Sequence, residues 1–484
     1  METTFLLRFG ELTLKSAPVR KRMIRRLLSN LKDVLQRRGI PFRFERQWAR
    51  AFVVTTEPEA MSKVLSQLFG ILSFSVIHRF PSEGQEKLLA IAAPYFIPHV
   101  TGKTFAVRAR RDPESPGYST QQIERELGSL LFEHTAGVNL KHPDITCHVE
   151  VRGDEIYMYA SKESGVGGLP IGVTESCLSL ISGGFDSPVA SWLSARRGVP
   201  CDFVFFELGG LTQRAPVYAH LQHLYQEWLF GYRPKLFIVP GKPILDALHK
   251  KVHPKFWNVM LKRIFYKVAE RIAHRNRHTA LITGEAISQV SSQTITNLRS
   301  LEHQLDIPVF RPLLTYDKRE IVKLANTIGT NDISEGVKEY CAITPGNPST
   351  AATTDKVLSF EEQLGGDEFY TSLLKDIEEL RVHAIKPEQI QYLHILTDEV
   401  PKGAIWLDMR EDPRPALSHP CQVISLEELV TEPEQLAKDQ TYFLLCEVGM
   451  QSMEAAYMLQ ELGYHALAYE GGTERLRKKM PIGV

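Results

Sequence analysis

The chain has 484 residues, 43% of them hydrophobic and 24% charged, with 57 Lys/Arg against 57 Asp/Glu. That is an ordinary globular composition, with room for about three domains. No apolar run approaches the ~20 residues that span a bilayer, Met1–Arg8 lacks a signal-peptide layout, and six cysteines with no Cys-x-x-Cys pair argue against a disulfide framework or a four-cysteine zinc site. A cytoplasmic protein with no membrane partner is expected, in which any disulfide is transient and chemical. The charge is unevenly spread. Residues 1–50 hold 13 Lys/Arg and 4 Asp/Glu, whereas residues 402–484 hold 8 and 13. A basic head suits a polyanion such as RNA, and the same count suits a solvated basic helix face.

Residues 4–10 read as a strand, and a basic helix follows from about Val19 to Arg38. Its apolar positions Met23, Ile24, Leu27, Leu28, Leu31, Val34 and Leu35 recur at helical spacing. Its other face carries Arg20, Lys21, Arg22, Arg25, Arg26 and Lys32. Strands at Phe42–Phe44 and Ala51–Thr55 complete a small α+β module over residues 1–60. Beyond it the pattern gives a helix at about Pro58–Leu68, a strand over Phe69–Ile77 and a helix over Lys87–Tyr95. Thr104–Arg111 alternates as a strand with Arg108, Arg110 and Arg111. Ser119–Phe132 is a helix with serine before it and Gln122 in its first turn. A hairpin follows across Gly153-Asp154. Phe105-Ala-Val-Arg-Ala-Arg-Arg111 and Gln122-Ile-Glu-Arg-Glu-Leu-Gly128 resemble the THUMP domain of RNA-modifying enzymes, here residues 61–165. Arg8-Phe-Gly-Glu-Leu-Thr-Leu-Lys15 resembles the signature of the ferredoxin-like domain that partners it. THUMP domains bind tRNA, so the resemblance implies tRNA contacts from Arg20, Lys21, Arg25, Arg108, Arg110 and Arg111.

Gly165-Val-Gly-Gly-Leu-Pro-Ile-Gly172 is a flexible connector by composition. Leu178–Ile181 then reads as a short buried strand, Ser182-Gly183-Gly184-Phe185-Asp186-Ser187 as a loop, and Pro188–Arg196 as a helix, with proline at its opening. A strand, a glycine loop and a helix start bring backbone N–H groups to bear on an anion, and the glycines let the backbone approach a phosphate. Asp186 would repel a bare phosphate and suits a Mg²⁺ that bridges phosphates. The Gly-x4-Gly-Lys-Ser/Thr loop is absent, because no lysine follows Gly184. The Ser-Gly-Gly-x-Asp-Ser pattern resembles the PP-loop of ATP pyrophosphatases, which cleave ATP between its α- and β-phosphates. Strands at Pro200–Phe206, Lys235–Pro240 and Ala280–Gly284 alternate with helices at Pro216–Phe230 and Phe256–His274. This predicts a doubly wound parallel sheet over residues 173–385, with ligands at the carboxyl ends of its strands.

Thr283-Gly-Glu-Ala-Ile-Ser-Gln-Val-Ser-Ser-Gln-Thr294 is a polar run just past a buried strand, and Arg311-Pro-Leu leads to Asp317-Lys318 at a helix start. With the Gly-Gly-Leu-Pro connector and the PP-loop these resemble the tRNA 4-thiouridine sulfurtransferase family, to the last residue of the chain. The resemblance implies ATP with Mg²⁺ as cofactor, catalytic Asp186 and Lys318, and ATP contacts from Leu180, Ile181, Ser182, Gly183, Gly184, Asp186, Ser187, Phe205, Phe206, Arg263, Gly284 and Gln293. In Leu261-Lys-Arg-Ile-Phe-Tyr266 the family's first arginine is Lys262 and both of its methionines differ.

Residues 359–381 read as helical, and Pro387–Pro401 as a second connector. Residues 402–484 resemble a rhodanese-like α/β domain. Ala404–Arg410 carries an Asp-x-Arg strand, and Tyr442–Cys446 is a strand ending in a cysteine. Cys446-Glu-Val-Gly-Met-Gln-Ser452 leads into a helix, which places a thiol where loop N–H groups and a helix N-terminus favour an anion. Rhodanese loops often carry arginines, but this one has Glu447 and no Lys or Arg, which fits a relay between proteins better than free thiosulfate. Cys341 lies in a polar segment, open both to chemistry and to inert packing. Cys147, Cys177, Cys201 and Cys421 read as packing.

The family resemblance completes a mechanism. A cysteine desulfurase loads Cys446 as a persulfide, ATP adenylates O4 of uridine 8, the persulfide displaces AMP, and Cys341 forms a disulfide with Cys446. In some members the tail also serves the sulfur carrier protein of thiamine thiazole synthesis. Other readings are another PP-loop tRNA modifier, an RNA-binding adaptor with an inactive core, and a sulfur-trafficking protein for thiamine synthesis only.

Overall fold

A computed structural model describes residues 2–47, 50–112, 119–208, 213–334, 347–390, 395–397, 399–410, 413, 419–447, 449–469 and 471–479. The chain divides into two compact bodies. The first comprises Met1–Thr174 with Arg196–Gly198 and Phe230–Tyr232, and the second holds the remainder. Among the described residues no helix is long and apolar enough to cross a membrane.

The first body is organised by one long sheet in the order Arg43–Gln47, Arg50–Thr55, Thr3–Phe9, Ile71–Pro81, Glu155–Tyr159, Ile145–Arg152, Thr104–Arg111, Gly137–Val138. Ile71–Pro81 joins its halves. Its first residues pair with Thr3–Phe9 (Phe5 opposite Val76) and its last with Glu155–Tyr159 (His78 opposite Met158). The helix Ala17–Arg37 lays Met23, Leu27, Leu28, Leu31, Val34 and Leu35 on the first half. Each side chain buried in this way contributes about 1.5–3 kcal/mol. Met61, Val64 and Leu65 of the helix Pro58–Gln67 enter the same core. The boundary expected at residue 60 therefore falls inside this module, and the junction lies in Ile71–Pro81. The second half buries Leu88, Phe96, Phe105, Ile123, Leu127, Val149 and Met158 beneath the helices Gln85–Val100 and Thr120–Phe132. Ser119 caps the latter, accepting the Gln122 N–H at 3.3 Å.

The second body contains a six-stranded sheet in the order Val309–Phe310, Leu281–Ile282, Cys177–Leu180, Cys201–Glu207, Lys235–Pro240, Glu378–Arg381. The first five strands are parallel and the last is antiparallel, with Lys235 opposite Arg381. The helix expected over 359–381 is instead two helices, Thr354–Leu364 and Gly366–Ser372, followed by this edge strand. Gly365 ends the first helix in the left-handed region, at φ +114°, a backbone shape that favours glycine. The edge is polar: Lys235 Nζ meets Glu379 at 2.6 Å and Arg214 meets Glu378 at 2.7 Å. Charges of this kind discourage further strand pairing. A second, fully parallel sheet runs Leu396–Thr397, His465–Tyr469, Thr441–Leu445, Ile405–Asp408, Cys421–Val423. It packs Leu407, Leu444, Ala455, Leu459 and Ala468 into its own core.

Candidate active site

Within the six-stranded sheet the chain starts in the middle, at Cys177–Leu180. It proceeds outward through Cys201–Glu207 and Lys235–Pro240, then returns to the other side at Leu281–Ile282. The reversal leaves a crevice at the carboxyl ends of Cys177–Leu180 and Leu281–Ile282, the usual ligand position in open α/β sheets. The glycine loop leaves the first of these strands and Thr283-Gly284-Glu285 leaves the second. They meet closely. A Cβ built on Gly284 would lie 2.8 Å from the Asp186 carbonyl carbon and from the Ser187 nitrogen. Only glycine lets the two strand ends approach so far. Among the described residues, a Cβ on Gly184 would meet nothing nearer than Ser182 Oγ at 3.8 Å, so none of them covers the loop on that side.

Hydrogen bonds fix the loop from beneath. The Ser182 N–H donates to Ser187 Oγ at 2.9 Å, and the two hydroxyls lie 3.0 Å apart. Ser187 is buried and Ser182 exposed, so Ser187 closes the loop while Ser182 faces outward. His220, from the helix Arg214–Glu227, is completely buried. Its Nε2 lies 3.1 Å from the Gly183 carbonyl and 3.0 Å from Ser334 Oγ. Burial pulls this imidazole down to about 4, so at neutral pH it is uncharged. With its proton on Nε2 it donates to the loop. The sequence reading missed His220, because on a helix buried nearly all round it has the pattern of core.

The helix Lys318–Ile328 starts with a reciprocal cap. Asp317 accepts from the Glu320 N–H and Glu320 from the Asp317 N–H, each at 2.9 Å. The cap fixes the position of Lys318, whose Nζ lies 5.5 Å from the centre of the Phe185 ring. The structure thus brings Lys318 and Asp186 to one loop. Gln289 joins them, its Nε2 donating to Asp186 Oδ2 at 3.2 Å. Gln293 sits further along the same run, where its backbone carbonyl accepts the Ser288 N–H at 3.1 Å. Ser288 holds φ +63°, which turns the run sharply.

Glu285 anchors this strand end. It is buried and accepts from Lys262 Nζ at 2.9 Å, Arg311 Nε at 2.9 Å, Thr283 Oγ1 at 3.1 Å and Tyr266 OH. Burial alone would push its carboxyl up, but Lys262 and Arg311 outweigh that and hold it at about 2. Lys262, the departure noted in the sequence, is thereby a structural ion-pair partner. Arg263 requires a correction. It is fully buried, gives Nε and one terminal nitrogen to Glu361 at 3.1 and 2.9 Å, and gives the other to the carbonyls of Leu301 and His303 at 2.8 and 2.5 Å. With four of its five N–H donors spent on the core and its side chain fully buried, this guanidinium serves packing in this structure rather than an open ATP site. The Phe205 and Phe206 side chains are also buried, with Phe206 stacked on Phe265 at 4.0 Å. Those positions, like Leu180 and Ile181, can offer a ligand little beyond backbone.

Cys446 ends the strand Thr441–Leu445. Its Sγ accepts the N–H of Gly449 at 3.1 Å and of Ser452 at 3.4 Å, with Ser452 Oγ at 3.3 Å. The helix Met450–Glu461 begins at this loop, with Gly449 as its N-cap at φ +87°. Backbone donors at a helix start favour sulfur as an anion. The residue is 2% exposed and its thiol is free. Asp408 and Arg410 form a buried ion pair, 2.7 Å at its shortest, and the Arg410 charge is also felt by Glu447. Cys341 and its expected pairing with Cys446 lie outside the described residues. Cys147, Cys177 and Cys201 are buried; burial pushes the first two thiols up to about 12 and about 11 and the third well above its ordinary value, as inert packing residues should be.

Of the expected RNA contacts, Arg20, Lys21, Arg25, Arg110 and Arg111 are exposed. Arg108 is half-buried and donates to the Leu140 carbonyl at 2.6 Å. It lines a groove of about 520 Å³ together with Arg125, Phe132, Val138 and Leu140.

Known proteins resemble this chain along most of its length. Residues 172–365 match the family model described as thiamine biosynthesis protein (ThiI), residues 4–75 the ThiI ferredoxin-like domain, and residues 85–161 the THUMP domain. A tRNA sulfurtransferase of Desulfurococcus amylolyticus is 32% identical over 99% of this chain and 98% of its own. One from Haemophilus influenzae is 31% identical over 94% and 96%. A solved structure of a 4-thiouridine synthetase–RNA complex with bound ATP is 29% identical, covers 79% of this chain and 100% of its own, and superposes with a TM-score of 0.67. Alike along nearly its whole length to these relatives, the chain belongs to the tRNA sulfurtransferase family and is an enzyme of that class.

Proposed function

We propose that the chain uses ATP to replace O4 of uridine 8 in tRNA with sulfur carried on Cys446. ATP binds with its phosphates over Ser182–Ser187. O4 attacks the α-phosphorus, the bond to the β-phosphate breaks, pyrophosphate leaves and the N3 proton is lost. C4 now carries AMP, a good leaving group. Cys446 receives a persulfide sulfur from a cysteine desulfurase. Its terminal sulfur attacks C4 and AMP departs. The Cys341 thiolate then attacks Cys446 Sγ, which leaves sulfur on the base and a Cys341–Cys446 disulfide that a cellular thiol reductant reopens. Lys318 neutralises negative charge that develops on the phosphates. Asp186 fits a magnesium ion, being an oxygen donor of the hard kind beside a phosphate loop. The bound ion would supply charge neutralisation across the α- and β-phosphates. The basic exposed residues of the first body hold the tRNA. The same Cys446 can pass sulfur to the carrier protein of thiazole synthesis.

The observation that carries the reading is that one chain holds both an open phosphate loop and a thiol sulfur that accepts two backbone N–H groups. The test is nucleoside mass spectrometry of tRNA after incubation with the protein, ATP–Mg²⁺, a cysteine desulfurase and cysteine. Wild type should form 4-thiouridine and Cys446→Ala should not. Equal product from both would remove Cys446 as carrier. No product from either would remove the tRNA base as substrate.

A further inference from the structure

Gln289 lies outside the set of ATP contacts that the family resemblance implies, yet it touches the loop directly. Its amide orientation is settled by its neighbour. An ionised carboxylate only accepts, so the atom 3.2 Å from Asp186 Oδ2 is Nε2. Oε1 therefore points elsewhere, and it is buried with no hydrogen-bond partner. A buried carbonyl oxygen left unpaired is costly. Here it sits on the same amide that grips Asp186, at the mouth of a phosphate loop. The run that carries it is turned by Ser288 in the left-handed region, which is itself an unfavourable conformation for serine. A hard neutral oxygen beside a carboxylate supplies the two protein oxygens that a magnesium shell can take. That ion characteristically takes one or two protein oxygens, several waters and the substrate's phosphates.

We propose that Gln289 Oε1 faces the divalent cation that accompanies ATP, directly or through one of its bound waters, while Nε2 holds Asp186 in place for the same ion. This rests on the reading of the loop as an ATP site. It makes Gln289 a cation-binding residue, not merely a strut for Asp186 or a contact to the base.

The test is calorimetric binding of α,β-methylene-ATP to the full chain, in EDTA and across a magnesium titration, for wild type, Gln289→Met and Gln289→Glu. Wild type should bind the analogue more tightly as magnesium is added. Methionine keeps the length and removes the oxygen. It should lose about tenfold of that magnesium-dependent gain, the scale of one hydrogen bond or ligand contact to a charged group, with affinity in EDTA unchanged. Glutamate cannot donate to Asp186 but offers a better cation ligand, so it should keep the gain. Three results would overturn the proposal: methionine retaining the full gain, both variants losing it (a strut for Asp186), or affinity in EDTA falling in parallel. Wild type that fails to bind the analogue under any condition would instead overturn the ATP-site reading beneath it.

Discussion

Replacing Glu285 by glutamine tests whether the strand end that carries Gly284 is held by charge. Glu285 is buried and is met by Lys262 and Arg311, each at 2.9 Å, and by the Tyr266 hydroxyl. Its carboxyl is held at about 2 against an ordinary 4.5, which at about 1.4 kcal/mol per pKa unit corresponds to about 3 kcal/mol. The folded value is the lower one, so this contribution is complete above pH 4.5 and is lost as pH falls toward 2. Glutamine keeps the shape and one acceptor but leaves the half-buried Lys262 ammonium without its counter-charge and Arg311 with Glu302 alone, and breaking a buried pair costs about 3–5 kcal/mol. For a domain of this size 1 kcal/mol moves Tm by about 2–4 °C, so Glu285→Gln should melt roughly 6–12 °C below wild type at pH 7. The gap should narrow at pH 3–4, where the wild-type carboxylate is itself being protonated in the unfolded chain. Thermal scans of both proteins across pH measure it. A variant as stable as wild type at pH 7, or a gap of constant size from pH 7 to 3, would refute the reasoning.

Gly284→Ala should force the strand end away from Asp186 and Ser187, because its Cβ would stand 2.8 Å from their backbone. Overpacking of this kind costs about 1–3 kcal/mol, and ATP affinity should fall at least tenfold by calorimetry. Lys318→Met should cut tRNA-dependent AMP formation by about 10²-fold, the scale of one lost charge-stabilising group, while ATP-analogue affinity changes little. Gly449→Ala meets a backbone at φ +87° and a Cβ position 2.9 Å from Gly472 N. It should abolish persulfide-dependent 4-thiouridine formation while ATP-analogue binding stays at the wild-type level, and loss of both together would count against a sulfur cradle local to this loop.

The parts of the site legible in the sequence are those written in consecutive residues. The glycine loop, the Asp317-Lys318 helix start and the Cys446 loop each declare themselves through a turn residue, a cap or a strand end. What the sequence hid depends on distant partners. Arg263 has the look of a ligand group in its local run, yet Glu361, 98 positions away, takes its guanidinium into the core. His220 looks like core and is core, but its nitrogen supports Gly183. Glu378–Arg381 has helix-favouring residues, and only the open edge beside Lys235–Pro240 makes it a strand. Periodicity reports which face is apolar; it does not report which charge another element supplies.

The two loops share one device with different surroundings. Each ends a buried parallel strand and opens a helix, so backbone N–H groups converge just beyond the strand. At Ser182–Ser187 none of the described residues covers Gly184, and Lys318 lies beside Phe185 of the loop, an arrangement suited to a multiply charged phosphate. At Cys446–Ser452 the sulfur itself fills the ring of donors, Arg410 is occupied by Asp408, and the loop's own charge is the acidic Glu447. The run Cys446–Ser452 carries no Lys or Arg, so a negative charge on this sulfur meets first the N–H groups of Gly449 and Ser452.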